Sequence, residues 1–227
     1  MKLSVKLTTG EKILGWVMMA LHILILPLFL ALVVLIFSLP VDEGQLNIYT
    51  FIIGFILTVI FFFRFLWQNF KTFEKDLKGS LYAALGGYGI TILLNIVVNI
   101  AITNLAPDFV NVNDESLGLI MQQYYWPMFL CVVILVPITE EMVYRGVLFG
   151  ILHKKSRVLA YTVTIVVFSA IHMVGYIGTA APRDLIIGFF QYIPATVGLC
   201  YAYEKSDSLW SAVLVHMFNN LLAMLVM

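Results

Sequence analysis

The sequence predicts an all-α fold: a polytopic bundle of about seven membrane-spanning helices, eight being possible, with a cytoplasmic N-terminus. Three observations carry this reading. First, 62% of the 227 residues are hydrophobic and 11% are charged, where ordinary soluble domains carry about 25% charged residues. So much apolar surface cannot be buried in one core and has to be covered by lipid. Second, seven apolar segments, at roughly 13–39, 47–67, 81–103, 126–152, 158–177, 184–203 and 208–227, each approach or exceed the ~20 residues of a spanning helix. Open strands would leave backbone groups unpaired in hydrocarbon, so the segments have to be helices. Third, the loops alternate in charge.

Taken in order, Lys2, Lys6 and Lys12 precede the first segment, which is longer than a signal-peptide core and has no small-residue cleavage site after it. Arg64, Lys71, Lys75 and Lys78 flank the second loop, Lys154, Lys155 and Arg157 the fourth, and Lys205 lies in the sixth. The opposite loops hold Asp42, Glu43, Asp108, Asp114 and Glu115, with Arg183 as the basic exception. This asymmetry predicts a cytoplasmic N-terminus and an external C-terminus. Residues 104–126 form the weakest boundary: an external loop, then a short interfacial helix at 116–123 with Tyr124, Tyr125 and Trp126 at headgroup level. If that helix dips into the bilayer, the count changes by one.

Several features have a packing explanation. Gly86, Gly87 and Gly89 allow close helix approach, and Phe61, Phe62 and Phe63 form lipid-facing or packing surface. Asn95 and Asn99, one turn apart, suit interhelical hydrogen bonds. Cys131 and Cys200 read as small packing residues in apolar segments, and His22 and His153 as structural histidines without an identifiable partner. Net charge is zero and there is no basic stripe, which gives a nucleic-acid partner no support.

Three polar clusters interrupt the apolar pattern of the second half: Glu140, Glu141 and Arg145; Phe168 and His172; His216 and Asn220. Ionisable groups at membrane depth are costly and face a bundle interior or an aqueous cavity. Counted from the cytoplasmic helix ends at 1.5 Å per residue, Glu140 lies about 18 Å deep, His172 about 21 Å, and His216 and Asn220 about 12 and 18 Å. Three helices thus bring reactive side chains to similar depth, near mid-bilayer, with access expected from the cytoplasmic side. Glu141 and Arg145 are four apart on one face, in the favourable orientation for a buried ion pair. Glu140 points about 100° away, with Tyr144 on its own face, and is free for chemistry. Pro137 removes a backbone donor just ahead of the carboxylates.

Glu140-Glu141-x-x-x-Arg145, Phe168-x-x-x-His172 and His216-x-x-x-Asn220, in this order on separate spans, resemble the motifs of the CAAX-protease and bacteriocin-processing (CPBP, or Abi) family of intramembrane proteases. That family includes the type II CAAX prenyl endopeptidases, whose archaeal members have eight helices. The resemblance covers residues 126–227 and divides a single membrane domain, 1–227, into motif-free N-terminal spans at 1–125 and a catalytic helical core. It implies endopeptidase cleavage of a membrane-associated or lipidated peptide by a multi-pass protein of a prokaryotic cell membrane. In the implied site Glu140 and His172 activate water, His216 and Asn220 stabilise the oxyanion, and Glu141 and Arg145 support them. The same residues leave a zinc-dependent protease open, with Glu140, His172 and His216 as ligands. The chain lacks a His-Glu-x-x-His helix and Asn is a poor zinc ligand, so no cofactor is favoured. A non-catalytic scaffold or immunity protein, or a small transporter, remains as the alternative; a transporter should show repeated halves or matched broken helices, and neither is visible.

Overall fold

The computed structural model describes residues 3–226 and is helical throughout its spans. Six helices are long and apolar enough to cross a bilayer: α1 (Thr9–Ile36), α2 (Glu43–Lys75), α3 (Leu77–Leu105), α4 (Val112–His153), α5 (Arg157–Val174) and α6 (Pro182–Ser206). A shorter apolar helix, α7 (Leu209–Val226), completes the seven expected from the sequence. Local signals set the ends. Thr8 and Glu11 form a reciprocal cap at the start of α1, Asp42 and Gln45 another at α2, and Ser156 caps α5. At the ambiguous stretch 104–126, Asn111 caps a helix that joins the fourth span directly, with no loop between them. The junction is a kink at Tyr124, three residues before Pro127, which has no N–H for the carbonyl of Gln123. The short helix is therefore the first part of α4 and adds no further span. Trp126 beside the kink is 75% exposed, as a headgroup-level aromatic should be.

Burial identifies the centre of the bundle. In its most apolar stretch α4 is 56% buried, against 6% for α1. Helix α4 is thus the core element, and α1 is a peripheral helix whose last residues, Leu35 and Ile36, are exposed together with Phe37 just beyond it. Phe62 is fully buried while its neighbour Phe63 is 61% exposed, so the phenylalanine block serves both core and lipid surface. Helices α3 and α6 approach backbone to backbone: a Cβ on Gly87 would lie 2.5 Å from the Gly198 carbonyl oxygen. Of the three glycines expected to allow such contact, Gly87 does so against backbone, Gly86 meets the Tyr201 ring, and Gly89 faces open space. Both cysteines are buried and free.

The end of the bundle that carries the basic loops is tightly packed. Tyr144, Val147, Phe149, Tyr203 and Leu209 are at most 1% exposed there. Above them Glu204, from α6, accepts hydrogen bonds from Arg157 and from Tyr161 (2.9 Å), and its other oxygen is 3.0 Å from His153 Nε2. His153, expected to lack a partner, thus has one. At the opposite end Arg183, the exception to the charge rule, is bound by two hydrogen bonds of 2.8 Å to Asp108. The guanidinium holds the Asp108 carboxyl down at about 2, and the pairing offsets the positive charge of Arg183 on that face.

Candidate functional site

Three stretches of helix depart from the i→i+4 pattern, and each bears on one cavity. In α1 and α4 the backbone widens to i→i+5 bonding at Leu21–Ile25 and Cys131–Leu135, each followed two residues later by a proline, Pro27 or Pro137. The second case has a traceable consequence. The Val136 N–H bonds the carbonyl of Cys131, and Pro137 has no N–H to offer the carbonyl of Val132. Asn220 Nδ2 supplies the missing donor at 2.9 Å. The proline thereby fixes the position of a side chain from another helix. The third stretch, Glu141–Phe149, winds the same way through the acidic motif itself, as π-type turns often do at functional sites.

Glu141 and Arg145 form the expected ion pair, 2.8 Å apart with both side chains fully buried, and the Arg145 guanidinium lies 4.1 Å over the Phe168 ring. The same Glu141 oxygen receives a second bond, from His216 Nδ1 at 2.7 Å. A carboxylate only accepts, so Nδ1 carries the proton and Nε2 is turned to the cavity. There Nε2 stands 3.8 Å from one oxygen of Glu140. The other Glu140 oxygen stands 3.8 Å from Nε2 of His22. Hydrogen bonds run about 2.7–3.2 Å, so Glu140 is flanked by two imidazoles without being tied to either. His172 is held by its Nδ1–H bond to the Phe168 carbonyl at 2.7 Å and by stacking on Tyr192, ring centres 4.0 Å apart. That bond leaves its Nε2 as an acceptor. Tyr192 is itself held by Asn113 and Asp114.

The structure therefore brings Glu140, His172, His216 and Asn220 onto one cavity of about 790 Å³, with Glu141 and Arg145 buried behind it. Four further polar residues belong to this cavity, and three of them, His22, Asn95 and Asn99, were assigned to packing by the sequence. His22 is the most consequential. It is an ionisable group in an apolar span, about 20 Å in from Thr9, and the depth rule that joined the other three clusters applies to it equally. Asn95 and Asn99 also line the cavity, as does Asn219 beside Asn220. The expected entry from the basic-loop side is not what the structure contains. That end is the packed one, and the cavity runs toward the opposite ends of the helices, near Asn47, Asn99 and Asp114.

Among the described residues no three His, Cys, Asp or Glu side chains are placed to hold one metal ion. Glu140, His172 and His216 share the cavity; the two histidines each bond a protein acceptor through Nδ1, and Glu140 stands 3.8 Å from His216.

The chain has no match among curated proteins and none among solved structures. Residues 122–222 match the family model described as Type II CAAX prenyl endopeptidase Rce1-like. The matched segment contains all three motifs, from Glu140 to Asn220, and the resemblance that those motifs carry is borne out: this part of the chain is similar to Rce1-like domains.

Proposed function

We propose that this chain is an intramembrane endopeptidase that hydrolyses a peptide bond of a membrane-associated peptide or protein without a metal. One observation carries the reading: within the Rce1-like segment, Glu140, His172, His216 and Asn220 from three separate helices converge on one cavity. Glu140, flanked but not bonded, takes a proton from water, and the Nε2 acceptor of His172 orients the same water. The hydroxide adds to the carbonyl carbon, and the resulting oxyanion accepts from His216 Nε2–H and from the second Nδ2–H of Asn220. Donation by Nε2 while Nδ1–H faces Glu141 requires the imidazolium, which the Glu141 carboxylate stabilises. As the C–N bond breaks, Glu140 returns its proton to the leaving nitrogen. The lack of a His-Glu-x-x-His helix and the placement of Asn220, a poor zinc ligand, on the cavity support the metal-free form over the zinc form.

The test is cleavage of an internally quenched peptide by the purified protein in detergent. Activity that persists after treatment with a strong zinc chelator is expected; activity lost to the chelator and restored by zinc overturns the metal-free form, and no cleavage of any peptide overturns the protease reading. His22 gives a second expectation. Its ring stands 3.8 Å from the reactive carboxylate, close enough to orient it and to shift its readiness to take a proton. His22→Phe should lower kcat by about tenfold or more at unchanged melting temperature, measured in the same assay. An unchanged kcat would return His22 to a packing role.

A further inference from the structure

We propose that the cavity takes an extended, uncharged peptide segment from the extracytoplasmic face of the membrane. This rests on the protease reading of the site and adds the side and chemistry of the substrate. The side follows from packing and charge. Between the basic loops and the cavity floor stand Tyr144, Phe149, Tyr203 and Leu209, at most 1% exposed, with the Glu204 cluster beyond them. No peptide passes through that end. The cavity walls come instead from the opposite helix ends: the first turns of α2 at Asn47, the last turns of α3 at Asn95 and Asn99, and the start of α4 at Asn113 and Asp114. Those ends join the loops that carry Asp42, Glu43, Asp108 and Glu115 and whose one arginine is paired. Lysine and arginine mark the cytoplasmic face, so the open end is external.

The chemistry follows from the wall. No Lys or Arg lines the cavity, and Asp114 at its rim already accepts from Tyr192. What the wall offers is carboxamides, which present donor and acceptor together and so complement a peptide backbone. Asn95 and Asn99 stand on one face of α3, about 6 Å apart along the axis, with Asn219 of α7 lining the same space. Alternate residues of an extended chain repeat at about 6.6–6.8 Å. The two amides therefore match successive outward-facing peptide groups of a strand that leads down to Glu140. A lipidated C-terminus presented in the cytosol has no route to this cavity; the C-terminal or juxtamembrane segment of an exported or membrane-anchored peptide has one.

Two measurements test this. Asn99→Cys should react with a membrane-impermeant maleimide in intact cells, and Lys155→Cys should react only after permeabilisation; the buried Cys131 and Cys200 give little background. The reverse pattern overturns the proposed side. In right-side-out vesicles an impermeant peptide supplied outside should be cleaved, and cleavage confined to inside-out vesicles overturns the proposal. For the wall, Asn95→Leu combined with Asn99→Leu should raise KM about tenfold with kcat unchanged, the pattern of lost uniform binding. An unchanged KM overturns the backbone-reading role. Absence of cleavage even in detergent overturns the protease reading and the peptide ligand with it, a result distinct from cleavage on the wrong side.

Discussion

Replacing Glu140 by Gln is expected to lower peptide cleavage by about 10²–10⁴-fold, the usual weight of a positioned acid–base group. Gln keeps the size and polarity of the side chain, which is 8% exposed, so the fold should survive and the melting temperature in detergent should stay near that of the parent. The size of the effect follows from the surroundings. Glu141 is bonded through one oxygen to both Arg145 and His216, and Asp114 to Tyr192, so among the described residues Glu140 is the carboxylate at the cavity floor left without a committed partner. Single-turnover cleavage by the variant measures it. A loss smaller than threefold would remove Glu140 from the chemistry and leave the pair Glu141–Arg145 as the reason for the acidic motif.

Breaking that pair gives the second large effect, and it falls first on stability. Arg145→Met leaves Glu141 in a fully buried position with its charge opposed only by His216. Removing one partner of a buried ion pair typically costs about 3–5 kcal/mol, and the stacking of the guanidinium on Phe168 is lost as well. A clear fall in melting temperature or in folded yield is the expected readout. The double variant Glu141→Leu with Arg145→Met separates packing from function, because it removes both charges at once. Replacing a buried pair by apolar groups of similar volume is often neutral. The double variant should therefore regain much of the stability while cleavage stays low, since His216 has lost the carboxylate that fixes its Nδ1 and supports its imidazolium. If it regained activity together with stability, Glu141 would be a brace for the helix alone and His216 would owe it nothing.

The two variants divide the acidic pair in the way that the sequence already indicated. Four-residue spacing puts Glu141 and Arg145 on one face, and adjacency turns Glu140 away from them. The spans were legible for a similarly local reason. Backbone groups in hydrocarbon must bond within their own helix, so length and apolarity suffice, and seven segments of sequence became seven apolar helices. The reactive side chains Glu140, His172, His216 and Asn220 stood out because polar groups at membrane depth are rare, and three sets at one depth are rarer.

What lay beyond reach of the sequence is what one helix does to another. That Asn220 completes the bonding of a carbonyl freed by Pro137 depends on α7 lying against α4 at that level. That His22 flanks Glu140, and that Asn95 and Asn99 line the cavity rather than bond across helices, depends on how α1 and α3 are rotated about their axes. Periodicity predicts the face that a helix shows to lipid, but in a bundle bathed in lipid both lipid and neighbour are apolar, and rotation is decided by packing. The same reason governs the direction of the cavity. Depth can be counted along a helix from either end, and only the packed plug of Tyr144, Phe149, Tyr203 and Leu209 decides which end is closed. The sequence by itself determined the helices, their number and the candidate site residues, because these follow from each segment's own chemistry; the tertiary structure alone decided who faces whom and toward which helix ends the cavity runs, because those are properties of contact between segments.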